Sequence, residues 1–210
     1  MSDVAVEVLR LVPATEGHYR LESGYHGDTW LDLEGLFQRP DAVKGMVQEL
    51  AQRLSRHDIN AVCGPLTGGA FTALLVAREL GVAFFYSEQV AGHTGDALLS
   101  VPYRVPASLR ERVKGQRVAI VNDVTSAGSA VRGTFADLEI CQAQIVAIGS
   151  LLVLGSRIGS FATDERVALE ALAFAEQNLW DPKACPLCQS GVPLLIPSYG
   201  PTVGYQRSAQ

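Results

Sequence analysis

The stretch Val118-Ala-Ile-Val-Asn-Asp-Val-Thr-Ser-Ala-Gly-Ser129 constrains this chain more than any other. An apolar run ends in an acidic residue, followed by a loop of small hydroxyl residues and glycine, and then by a helical pattern from Gly128 to about Ile140. In an open α/β sheet, ligands bind beyond the carboxyl ends of the strands. A loop of bare amides that opens a helix is an anion site, because the N–H groups face the anion and the helix dipole adds about half a positive charge. Thr125, Ser126 and Ser129 can add hydroxyl donors, and Gly128 lets the backbone approach closely. Asp123 stands where it can accept hydrogen bonds from sugar hydroxyls. An ordinary strand–turn–helix with a capping Ser or Thr has the same pattern, and the residues alone leave both readings open.

The rest of the chain repeats the alternation. Residues 4–12 predict a short helix, and residues 18–36 irregular strands and turns. Residues 41–56 place Val43, Met46, Val47, Leu50 and Leu54 at helical spacing, with Asp41 positioned to cap. Residues 59–63 predict a buried strand stopped at Gly64-Pro65. A helix then runs from Gly68 to about Leu80, with Gly81 as its stop. Val82–Tyr86, Arg117–Val121 and Gln144–Leu154 read as further strands, and residues 88–106 as a long loop with room for a hairpin. Strands alternating with helices imply a mostly parallel sheet covered on both faces. The proline-rich residues 176–197 are expected to pack against the N-terminal segment.

A length of 210 residues suits one domain, and 48% apolar residues supply a full core. A net charge of −5 without a basic run argues against a nucleic-acid surface. No apolar run reaches the ~20 residues that span a bilayer, and Met1-Ser2-Asp3 begins no signal pattern, so the expected location is the cytoplasm. Cys63 and Cys141 read as core residues, His18 and His57 as surface residues. Cys185-x-x-Cys188 offers half of a zinc site, but no second Cys or His pair lies near it in sequence, so no protein zinc site is expected and the pair reads as structural.

Segment 118–129 resembles the phosphoribosyl pyrophosphate (PRPP) motif of type I phosphoribosyltransferases. Asp123, Val124, Ser126, Gly128 and Ser129 match it, while Asn122 replaces its first acid and Ala127 its second hydroxyl residue. Tyr19-Arg-Leu-Glu-Ser-Gly-Tyr-His26, Gly64-Pro-Leu-Thr-Gly-Gly69 and Cys185-Pro-Leu-Cys-Gln-Ser-Gly-Val-Pro-Leu194 are similar to segments of the orotate phosphoribosyltransferase branch. The resemblance runs from about residue 15 to 198. It implies a type I phosphoribosyltransferase fold over residues 1–210, with a core over about 40–175 and a small hood from about 1–38 and 176–200.

The resemblance further implies displacement of pyrophosphate from PRPP by a nucleobase, best orotate, with Mg2+ bound alongside PRPP, in a homodimer. PRPP would lie on Asn122, Asp123, Val124, Thr125, Ser126, Ala127, Gly128 and Ser129, with Asp123 on the ribose hydroxyls. Pyrophosphate would lie on Pro65, Leu66, Thr67, Gly68 and Gly69. His93 and Arg104 would belong to the mobile loop, and Ser23, Gly24 and His26 to the base pocket. Three departures support a second reading, a non-catalytic PRPP- or nucleotide-binding member. Glu22 stands where the family has a lysine, residues 79–103 contain no lysine or arginine, and Asn122 lacks a charge.

Overall fold

The computed structural model describes residues 3–33, 35–90, 98–99 and 101–197. Nine strands and seven α-helices are assigned among them. The main sheet has six strands: β3 (Ala61–Pro65), β4 (Ala83–Gln89), β5 (Tyr103–Arg104), β6 (Arg117–Thr125), β7 (Gln144–Leu154) and β8 (Ala168–Ala175), in the order β5-β4-β3-β6-β7-β8. All pairings are parallel except β4 with β5. This is the expected α/β architecture.

The sheet is covered on both faces because its central strands carry apolar side chains in both directions. On β6, Ala119 and Val121 join one core and Val118 and Ile120 the other. The first core receives α1 (Asp3–Leu11), α2 (Lys44–Leu54) and α3 (Gly68–Leu80). On α2, Met46, Val47, Leu50, Ala51 and Leu54 are buried at the spacing of one helical face. The second core receives α4 (Ala107–Val113), α5 (Ser129–Ile140) and α6 (Arg157–Asp164). Cys63 and Cys141 are buried in it, as expected.

Several local expectations are corrected. Asp41 caps no α-helix: it lies inside a 3-10 turn, Pro40–Val43, and α2 starts at Lys44 with Val43 at its N-cap. The hairpin allowed for in residues 88–106 is met, by contrast, in the antiparallel β4–β5 pair, with Glu88 opposite Arg104. His57 reaches across to Glu170 at 2.7 Å and is half-buried. His18 is 1% exposed; its neighbours in the fold bury it.

A second, three-stranded sheet joins β1 (Ala14–Arg20), β2 (His26–Leu31) and β9 (Leu179–Trp180). The C-terminal segment then continues through α7 (Pro186–Gln189) and returns to β1. There the Leu195 amide donates to the His18 carbonyl at 2.7 Å, and Arg20 donates back to the Leu195 carbonyl at 2.9 Å. Among the described residues, no helix is long and apolar enough to cross a membrane.

Candidate active site

Asp123 lies near the carboxyl end of β6, 6% exposed. Burial pushes its carboxyl up to about 6, opposed in part by the Val124 amide, which donates to Oδ1 at 2.8 Å. Asn122 beside it donates from Nδ2 to the Val124 carbonyl at 2.7 Å. The loop after β3 packs directly on this pair. A methyl group on Gly68 would overlap Asp123 Oδ2, and one on Gly69 would overlap Asn122 Oδ1 and stand 2.9 Å from the Pro65 ring. Two glycines are therefore what allow residues 65–69 and 122–123 to meet. The Leu66–Thr67 peptide within that loop is cis.

The loop after Asp123 turns into α5 through Gly128, whose φ of 82° is a left-handed conformation that glycine adopts readily. Gly128 stands at the N-cap and brings no side chain to the first-turn amides. Ser129 is the first helical residue. The hydroxyls on this loop differ in direction. Thr125 is buried and faces the Ser150 hydroxyl at 3.1 Å, so it serves the sheet rather than the loop as expected. Ser126 donates to Gln177 Oε1. Ser129 donates to Glu22 Oε2 at 3.4 Å. Val124 and Ala127 contribute backbone and packing.

Glu22 thus stands at the N-terminus of α5. Its Oε1 accepts a 2.7 Å hydrogen bond from Tyr103. Desolvation holds its carboxyl above the usual range, with the Tyr103 and Ser129 hydroxyls pulling it back. Glu22 therefore sets an acid directly against the first turn of α5.

The remaining candidates separate. The Ser23 hydroxyl is buried without a hydrogen-bond partner among the described residues. Gly24, at φ 82°, turns the chain beside Leu98. His26, expected at the base pocket, points its Nδ1 instead at His18 Nε2 (3.1 Å) and Cys188 Sγ (3.3 Å). Arg104 is exposed on the sheet edge. His93 lies outside the described residues.

Sequence reasoning missed a cavity of about 810 Å³ next to the loop, lined in part by Arg132, Ser156, Arg157, Gln177 and Trp180. Arg157 stacks on Tyr25 at 4.2 Å and donates to its hydroxyl at 3.1 Å. Arg132 stacks on Phe161 at 4.2 Å and donates to the Arg157 carbonyl at 3.2 Å. The available signal was modest: two arginines placed shortly after the carboxyl ends of candidate strands in a chain with few cations near its loops.

Comparison with known proteins fits this geometry. Residues 36–163 match the phosphoribosyl transferase domain. The chain belongs to the phosphoribosyl transferase domain family. Orotate phosphoribosyltransferase from Thermotoga maritima is 31% identical over 178 residues, covering 85% of this chain and 88% of that protein. The Caldanaerobacter subterraneus protein of the same name is 28% identical over 188 residues, 90% of this chain and 92% of its own length. The fold is shared with adenine phosphoribosyltransferase from Rhodothermus marinus (TM-score 0.65, 14% identity, 82% of this chain and 98% of that one). It is also shared with orotate phosphoribosyltransferase from Mycobacterium tuberculosis (TM-score 0.61, 16% identity, 82% and 97%). The strand–loop–helix at 118–129 lies within the matched span.

Proposed function

We propose that this protein transfers the 5-phosphoribosyl group of PRPP to orotate, giving orotidine 5-phosphate and pyrophosphate. The observation that carries the reading is the convergence of the buried Asp123 carboxylate, the Gly68–Gly69 loop and the uncapped N-terminus of α5. Orotate is chosen because the relatives that match most of this chain, at 28–31% identity, bear that activity in their names.

In this reading a ring nitrogen of orotate attacks the ribose anomeric carbon while the bond to pyrophosphate breaks. Positive charge develops on the ribose and negative charge on the leaving group, so positioning and electrostatics dominate. Ionised Asp123 accepts from the ribose hydroxyls. The α5 amides and Ser129 hold the 5-phosphate, and the amides of residues 65–69 hold pyrophosphate. Arg157, on the wall of the cavity, offers a cation to the orotate carboxylate. Asp123 and Asn122 provide one carboxylate and no cage, a donor set suited to Mg2+ carried mainly by the pyrophosphate oxygens and water. When bound there, the ion neutralises charge on the leaving group. A homodimer would let a neighbour supply the cations that residues 79–103 lack.

Glu22 against Ser129 favours one second reading, a member that binds PRPP or a nucleotide without turnover. The test is PRPP consumption with Mg2+ and orotate, against adenine as the control base, with PRPP binding measured alongside. Orotate-dependent release of pyrophosphate supports transfer. Binding without consumption on any pyrimidine or purine replaces it with the second reading.

A further inference from the structure

Four side chains of metal-ligating types, from opposite ends of the chain, meet where β1, β2 and α7 come together. His18 lies on β1, His26 opens β2, and Cys185 and Cys188 flank the start of α7. Their ligand atoms all fall within 4.8 Å of one another. His18 Nε2 is 3.1 Å from His26 Nδ1, 3.4 Å from Cys185 Sγ and 3.7 Å from Cys188 Sγ; Cys188 Sγ is 3.3 Å from His26 Nδ1.

Those separations are four of the six edges of a tetrahedron, and the other two are within 4.8 Å. Zinc bonds of about 2.0–2.1 Å to nitrogen and 2.3 Å to sulfur give edges of roughly 3.3 Å between nitrogens and 3.6 Å between nitrogen and sulfur. The four observed distances lie within a few tenths of an ångström of these values. The other ring nitrogen of His18 settles its tautomer. Nδ1 lies 2.8 Å from the Val192 carbonyl, which only accepts, so Nδ1 carries the proton and Nε2 turns its lone pair toward the cluster. A ligand histidine held by a carbonyl on its far nitrogen is the usual outer arrangement of a zinc site. His18 and Cys185 are also buried, at 1% and 0% exposure. The expectation of no zinc rests on the cysteine pair having no companions near it in sequence; the fold brings His18 to Cys185 across 167 residues and His26 to Cys188 across 162.

We propose that His18, His26, Cys185 and Cys188 form a closed Cys2His2 site for a structural zinc ion. Four protein ligands leave no position open for water or substrate, which separates this site from any catalytic metal chemistry. Two thiolates and two imidazoles in a tetrahedron select zinc over magnesium, which takes oxygen ligands. The two histidines bracket residues 19–25, the segment that presents Glu22 and Ser23 to the active site. Zinc therefore ties the C-terminal segment to β1 and β2 and fixes both ends of that segment.

The experiment is metal analysis of the full-length protein purified under reducing conditions without an affinity tag that binds metal. Wild type should carry about one zinc per chain, and Cys188→Ser and His26→Gln should fall to a tenth or less. Cobalt exchanged into wild type should show tetrahedral visible bands and sulfur-to-cobalt charge-transfer absorption. These wild-type measurements decide the matter even where a variant fails to fold. Zinc-free wild type that takes up neither added zinc nor cobalt overturns the proposal, as does a folded Cys188→Ser protein that retains its full zinc content. A Cys185–Cys188 disulfide in freshly isolated protein overturns it too.

Discussion

Replacing Asp123 by asparagine should make the free protein more stable while weakening its hold on PRPP. The carboxyl is buried, and its pKa rises from 3.8 to about 6, with desolvation as the largest cause. A rise of that size means the folded state disfavours the charged form by about 3 kcal/mol. The stability Asp123 contributes as a neutral acid is complete below the unfolded pKa and is lost as pH rises through about 6. The side-chain amide introduced by Asp123→Asn would mimic the neutral form at every pH, and its carbonyl can still accept from the Val124 amide. The variant's advantage should therefore be about 0.5 kcal/mol at pH 4 and grow to about 3 kcal/mol by pH 8. For a chain of this size that is a melting difference of roughly 6–12 °C. Thermal unfolding of both proteins from pH 4 to 8, without ligand, measures it. PRPP titration with Mg2+ at pH 8 should show the opposite order, with the variant weaker by about 1–3 kcal/mol from loss of charge-assisted hydrogen bonds. A stability difference that does not change with pH, or a variant that binds PRPP as tightly as wild type, refutes the reasoning.

Three further outcomes follow from the site. Glu22→Gln removes a negative charge at the N-terminus of α5 and keeps an acceptor for Tyr103; PRPP affinity by calorimetry should rise about fivefold, the effect of about 1 kcal/mol at a helix end, and an unchanged affinity would show that Glu22 does not oppose the phosphate. Gly69→Ala should leave the circular dichroism spectrum native while lowering PRPP affinity about tenfold or more, because its methyl group displaces the loop from Asn122 and Pro65. Glu88→Lys, on β4 opposite Arg104, should raise orotate turnover by about tenfold or more if missing cations limit the rate, and equal kcat values would discard that explanation.

What was legible in the sequence was what local pattern determines. β7 is a long apolar run, α3 is bounded by glycines at both ends, and β6 with its loop and α5 carries polar residues in a fixed order, so each could be read without knowing its neighbours. β8 could not. Its sequence, Ala168-Leu-Glu-Ala-Leu-Ala-Phe-Ala175, is made largely of helix formers, and only pairing with β7 along most of its length makes it a strand. α6 is eight residues long and holds glycine, serine and threonine, too short a segment to show its period against that composition. At the site, the glycine loops and Asp123 were readable because their chemistry is local. The inward turn of Thr125, the seat of Glu22 on Ser129 and the approach of His18 to Cys185 depend on contacts between distant segments, which no spacing rule encodes.

The pairing of β2 with β9, and of β1 with Leu195, has a consequence for how the chain is born. A ribosome releases the β1–β2 hairpin early, but the residues that complete its sheet come more than 140 positions later. Until then the hairpin has a bare edge, and a lone two-stranded hairpin is barely stable in water. The segment bearing Ser23 and Gly24 cannot gain its full set of neighbours until residues 179–195 have been made. A message that stops short of Leu179 would encode the strands of the central sheet but only two of the three strands of the smaller one.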